Sequence, residues 1–174
     1  MIRLVLGGEK SGKSDYALQL FLRGATPRLF LATGQPADPG FREQIAAHRL
    51  TRPADVPVRE VGQALPAALR VASVAGVRTV LADSLDFWLF LCAESPASQN
   101  EDRLLELLDQ FGADAALQME IIFVSCEIGL GPIAADACTR AFVRRLGAFN
   151  RAVAARCDQV DMVVAGLPFA LKRA

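Results

Sequence analysis

Residues 7–14 read Gly-Gly-Glu-Lys-Ser-Gly-Lys-Ser and complete the spacing G-x-x-x-x-G-K-[ST], directly after the apolar run Ile2-Arg3-Leu4-Val5-Leu6. Such a loop requires a strand that delivers the chain into it and a helix that carries the chain away. The glycines let the backbone curl until successive N–H groups converge on phosphate oxygens, and the positive end of the following helix dipole adds to that field. In this arrangement Gly7, Gly8, Glu9, Lys10, Ser11 and Gly12 form a nucleotide cradle, Lys13 reaches the β- and γ-phosphates, and Ser14 is placed to ligate Mg²⁺.

The rest of the chain suits that loop. Continuous runs of Val, Ile, Leu and Phe predict strands over 2–6, 28–33, 78–82, 121–125 and 160–165. Runs of this kind fit a parallel sheet covered on both faces. Between them, residues 13–22, 41–50, 64–72, 102–117 and 136–156 read as helices, the last marked by Phe142, Leu146, Phe149 and Val153 at three- and four-residue steps. Alternation of this kind implies a doubly wound α/β fold with ligands at the carboxyl ends of the strands. Residues 33–40 and 94–101 interrupt the alternation and read as loops, the second as a mobile one.

With 174 residues, 52% of them hydrophobic, the chain is expected to form one domain over 1–174 with a substantial core. Nineteen basic residues balance nineteen acidic ones, which argues against a dedicated nucleic-acid binder and favours a free nucleotide. No apolar run is long enough to span a bilayer and no signal-peptide core is recognisable, so a cytoplasmic protein is expected. Cys92, Cys126, Cys138 and Cys157 stand far apart, without the C-x-x-C spacing of a zinc or redox site.

Three acidic or basic positions are candidates for chemistry beyond the loop. Asp83 ends the apolar run Val80-Leu81-Ala82, where a phosphate-loop fold uses an acid to hold Mg²⁺. Glu127 follows the fourth strand and precedes Gly129 and Gly131, which let a ligand approach the backbone. His48, the single histidine, is flanked at helical spacing by Arg49 and Arg52 until Pro53 ends the segment. Neighbouring cations favour the neutral, nucleophilic imidazole and would neutralise a phosphate brought to it.

Taken in order, these motifs resemble the bifunctional adenosylcobinamide kinase/adenosylcobinamide-phosphate guanylyltransferase family of cobalamin biosynthesis. The resemblance runs through Gly7–Ser14, Ala32-Thr33, Ile45-x-x-His48 with Arg52-Pro53, and Asp83 followed by Leu85 and Trp88. It continues through Glu127-Ile128-Gly129-Leu130-Gly131, then Arg140, Phe142, Gly147 and Asn150, and ends at Gly166-Leu167-Pro168. It implies a P-loop NTPase of RecA-like, mainly parallel sheet, using ATP, GTP and Mg²⁺. It also implies two reactions: phosphorylation of adenosylcobinamide, then transfer of GMP from GTP to adenosylcobinamide phosphate through a guanylylated histidine. His48 matches that histidine; Thr33, Arg49, Arg52, Asp83 and Glu127 match nucleotide-handling positions, and a homotrimer is implied.

The chain departs from the family pattern at Asp86 (usually Thr), Leu91 (Asn), Cys126 (Asn), Pro132-Ile133 (Val-Pro), Arg144 (Asp) and Arg151 (Gln). The departures fall more on the corrinoid side than on the nucleotide-handling elements. Two other readings of the residues stay open at this point: a small-molecule kinase without nucleotidyl transfer, and a non-catalytic GTP-binding regulatory protein.

Overall fold

The computed structural model describes residues 1–34, 56–93, 99–114 and 116–173. Its strands are β1 (Ile2–Gly7), β2 (Arg28–Ala32), β3 (Val58–Glu60), β4 (Thr79–Asp83), β5 (Glu120–Cys126), β6 (Gln159–Val164) and β7 (Leu167–Arg173). The helices are α1 (Lys13–Arg23), α2 (Leu65–Val74), α3 (Leu85–Ala93), α4 (Gln99–Ala113) and α5 (Ala137–Arg156). The sheet runs β3-β2-β4-β5-β1-β6-β7, parallel throughout except for β7, which pairs antiparallel with β6.

Side-chain alternation explains why the central strands read as unbroken apolar runs. Val5, Leu81, Ile122 and Val124 pack with Ala17 and Phe21 of α1 on one face. Their neighbours Leu4, Val80, Ile121 and Phe123 pack on the other face, under α2, α3, α4 and α5. Both faces are therefore dry, and the few polar residues buried in the strands, such as Thr79, Ser125 and Asp161, are each hydrogen-bonded. Trp88 is fully buried at the junction of α3 and α5, 5.6 Å from Phe149 between ring centres, and its indole N–H donates to the Gln63 carbonyl at 3.1 Å.

The expected boundaries shift for local reasons. Asp136 is not the first helical residue but the N-cap of α5: its backbone is extended and its carboxylate accepts the Thr139 N–H at 2.7 Å. The helix expected over 102–117 starts earlier and ends earlier. Gln99, Asn100 and Glu101, expected in a loop, form its first turn, where Gln99 accepts from Arg103 at 3.2 Å and Glu101 pairs with Arg145. Asp114 ends it by taking the Ala116 N–H on its side chain at 2.9 Å. The rest of the expected loop, 94–98, and the expected helix over 41–50 lie outside the described residues.

Three elements were not expected: β3, α3 and β7. The last is joined to β6 by Ala165 and Gly166, both at positive φ, so the chain reverses in two residues. A buried charge anchors this hairpin. Asp161 on β6 is fully buried and pairs with Arg173 on β7 and with Arg3 on β1 at 3.4 Å, while Tyr16 donates to it at 3.3 Å.

Candidate functional site

The loop between β1 and α1 is held from two sides. Glu127, just past β5, donates its N–H to the Gly7 carbonyl at 3.0 Å, and Gly166 in the hairpin turn donates to the Ser11 carbonyl at 2.8 Å. Gly7 must be glycine here, because a Cβ would lie 2.3 Å from the Ser11 hydroxyl oxygen and 2.8 Å from the Val163 carbonyl. Gly12, the N-cap of α1, has φ 90°, and a Cβ there would also crowd Gly166 at 3.1 Å. Sequence and packing thus dictate one loop shape.

Within that shape Lys13 folds back so that Nζ donates to the Gly8 carbonyl at 3.2 Å. The cation therefore overhangs the loop whose amides would meet a phosphate. Glu9 and Lys10 are exposed and lie 4.0 Å apart, and Lys10 takes positive φ, so their contribution to the cradle is backbone rather than side chain. Ser14 follows in the first turn of α1.

Asp83 closes β4, and β5 lies between β4 and the loop strand β1. It is not adjacent to the loop in the sheet; α1, packed across β1, β5 and β4, spans that gap with Ser14 at its loop end. Thr33 follows β2 and is tied to the end of β4. Its side chain is fully buried, its hydroxyl donates to the Ser84 carbonyl at 2.7 Å and accepts the Ser84 N–H at 2.8 Å, and its own N–H donates to the Asp83 carbonyl at 3.2 Å. Through its donor and one acceptor position, Thr33 braces the end of β4.

The residue that sequence reasoning passed over is Asp86. It lies three residues beyond Asp83, in the first turn of α3, and its Oδ1 accepts the Cys126 N–H at 3.2 Å. Burial raises its carboxyl above the ordinary value of 3.8, against the opposing effects of hydrogen bonds from Ser84 and Cys126 and the charge of Lys13. The signal was a lone acid in the otherwise apolar stretch Leu85–Ala93. Cys126 itself is held on both of its backbone groups, since Asn150 of α5 donates to its carbonyl at 3.1 Å while accepting from Ser125 at 2.7 Å. Burial pushes the Cys126 thiol up to about 11. The end of β5, and with it Glu127, is fixed from α3 and α5 together.

His48, Arg49 and Arg52 lie outside the described residues, so the structure bears on the loop, Asp83, Asp86 and Glu127 only. Among the described residues no group of three His, Cys, Asp or Glu side chains is assembled for a metal.

Comparison with known proteins agrees with this geometry. The model of the family described as cobinamide kinase / cobinamide phosphate guanyltransferase matches residues 3–171. The bifunctional adenosylcobalamin biosynthesis protein CobP of Pseudomonas aeruginosa is 38% identical over 97% of this chain and 96% of its own. The corresponding protein CobU of Salmonella typhimurium is 27% identical over 99% of this chain and all of its own. Among solved structures, a prototypical ATPase from a bacterial type III secretion system superposes with a TM-score of 0.61 at 12% identity, over 97% of this chain and 56% of that one. That likeness concerns the fold: the chain spans about half of that larger ATPase. No helix among the described residues is long and apolar enough to cross a membrane.

Proposed function

Because the chain belongs to the cobinamide kinase / cobinamide phosphate guanyltransferase family, we infer that it is a bifunctional enzyme of adenosylcobalamin assembly, which phosphorylates adenosylcobinamide and then transfers GMP to that phosphate. The observation that carries this reading is the loop braced by Glu127 and Gly166, with the Lys13 ammonium held over it.

In the first reaction the acceptor hydroxyl oxygen bonds to the γ-phosphorus of ATP or GTP, its proton is released, and the bond to the departing nucleoside diphosphate breaks. Lys13 and the loop amides offset the charge that develops on the transferring group. Ser14 and Asp83 offer a hydroxyl and a carboxylate, an all-oxygen pair that fits Mg²⁺ bound together with the triphosphate. The ion would neutralise phosphate charge there.

In the second reaction a His48 nitrogen bonds to the α-phosphorus of GTP and pyrophosphate leaves. A phosphate oxygen of the acceptor then displaces the imidazole, which returns to its free form. Covalent transfer splits one displacement into two easier ones. Arg49 and Arg52 would bind the phosphates delivered to His48. The match of the family model over residues 3–171 supports treating 1–174 as one catalytic domain, and the cytoplasm is its proposed place of action. A homotrimer is supported by the family resemblance and by Leu167, Phe169 and Leu171, all exposed on edge strand β7.

The test is conversion of adenosylcobinamide with ATP, GTP and Mg²⁺, followed by mass spectrometry of the corrinoid. Successive appearance of the phosphate and the GDP derivative is expected, with both lost in Lys13→Ala if the loop serves both steps. Unchanged corrinoid with a folded, nucleotide-binding parent would overturn the reading.

A further inference from the structure

The turn that follows Glu127 encloses, with the start of α5, a cavity of about 210 Å³. Its lining includes Ile128, Pro132, Ile133, Val143, Arg140 and Arg144, and no carboxylate. Arg140, Val143 and Arg144 stand three and four residues apart, so they share one face of the helix. Arg140 is oriented by its own loop, its Nη1 donating to the carbonyls of Ala134 at 3.0 Å and Ala135 at 2.6 Å.

This arrangement is unfavourable for the protein alone. Two like charges one turn apart destabilise a helix. Arg145, next along, is neutralised by Glu101. Arg140 and Arg144 instead border a cavity whose lining has no acid, the Glu127 carboxylate lying behind Gly129 at its edge. An anion seated between them removes the repulsion.

The cavity opens beside the loop, because Glu127, which precedes Ile128, is hydrogen-bonded to Gly7. Its rim is apolar and open to solvent: Pro132 is exposed and Ile133 is 90% exposed. The fitting ligand therefore carries an anionic group on a large apolar body, which the cavity holds only in part. A phosphate ester of this form could be a nucleotide or the phosphorylated acceptor. The loop already supplies a cradle for nucleotide phosphates, which leaves this second cationic site to the phosphorylated acceptor.

We propose that the Arg140–Arg144 cavity is the subsite for the phosphate of the phosphorylated corrinoid, with Pro132 and Ile133 against the ring, so that it distinguishes the acceptor of the second reaction from that of the first. This rests on the function inferred above. Arg144 stands where the family pattern has an acid, so this preference belongs to this chain.

Equilibrium dialysis with cobinamide phosphate and with cobinamide, read by corrin absorbance, tests the assignment. The parent should bind the phosphate form about tenfold more tightly or better. Arg144→Glu should abolish that preference, Arg144→Gln should reduce it, and affinity for unphosphorylated cobinamide and for a fluorescent GTP analogue should stay within about twofold. Equal binding of both corrinoids by the parent, or an unchanged preference in folded Arg144→Glu, overturns the subsite and leaves the inferred function standing. Loss of GTP-analogue binding instead reassigns the cavity to nucleotide. A parent that binds neither corrinoid overturns the subsite and the inferred function together.

Discussion

Asp86 Oδ1 accepts the backbone N–H of Cys126 across the ends of two neighbouring strands, at 3.2 Å. The pairing of β4 with β5 stops at Asp83 opposite Val124, so Cys126 extends past its neighbour with an N–H that the ladder does not satisfy. A buried amide of this kind needs a partner, and the first turn of α3 supplies it. The carboxylate that does so is the one whose pKa burial raises.

The pH dependence follows from that shift. A carboxyl raised on folding contributes stability that is complete in acid, below its unfolded value, and is lost as pH rises through the raised folded value. Asp86→Asn keeps an oxygen for the Cys126 N–H and carries no charge. Its melting temperature should exceed the parent's most at about pH 8, with the gap closing towards about pH 4. Thermal melts across that range, without nucleotide, check this; a gap independent of pH would contradict it.

A second outcome concerns the thiols. Cys138 is exposed, whereas Cys92, Cys126 and Cys157 are buried, and burial pushes Cys126 up to about 11 and Cys157 up to about 12. The thiolate is the reacting form. Iodoacetamide at about pH 8 should therefore label Cys138 alone in the native protein and all four in denaturant, as peptide mass mapping would show. Native labelling of Cys126 at a rate like that of Cys138 would contradict the packing of the β5 end.

The hairpin anchor gives a third. Asp161→Ala leaves Arg3 with only the longer Glu120 contact at 3.9 Å; removing one member of a buried pair costs roughly 3–5 kcal/mol, and the remaining partner puts the loss toward the lower end. Urea unfolding should show a loss of that order. A change below about 1 kcal/mol would mean that the Arg3–Asp161–Arg173 group behaves like a surface ion pair.

What the sequence disclosed follows from where its signals are strong. The loop from Gly7 to Ser14 was legible because spacing and flanking elements agree, and the buried parallel strands because both of their faces are dry. β3 was not, since its three residues are all exposed and carry no alternation. In α3 the buried stripe of Leu85, Trp88, Leu89 and Cys92 is hidden by Phe87, Phe90 and Leu91 between its members. β7 carries Pro168 near its start and is exposed along its length, as an edge strand tolerates. At the site, Asp86 was visible only as a departure from a pattern, because its importance comes from a backbone amide forty residues away. The bracing of β4 by Thr33 was illegible for a related reason: nothing in a hydroxyl at a strand end tells which neighbouring strand it will bond.

The central claim is that this chain carries out nucleotidyl transfer through its single histidine, and it is tested most directly by incubating the protein with GTP and Mg²⁺ alone, then measuring intact mass and mapping peptides. The account predicts one GMP per chain, attached to His48, labile in acid as a phosphoramidate is, and absent from His48→Ala. Labelling that persists in His48→Ala, or a parent that turns over the γ-phosphate without ever acquiring GMP, would contradict it.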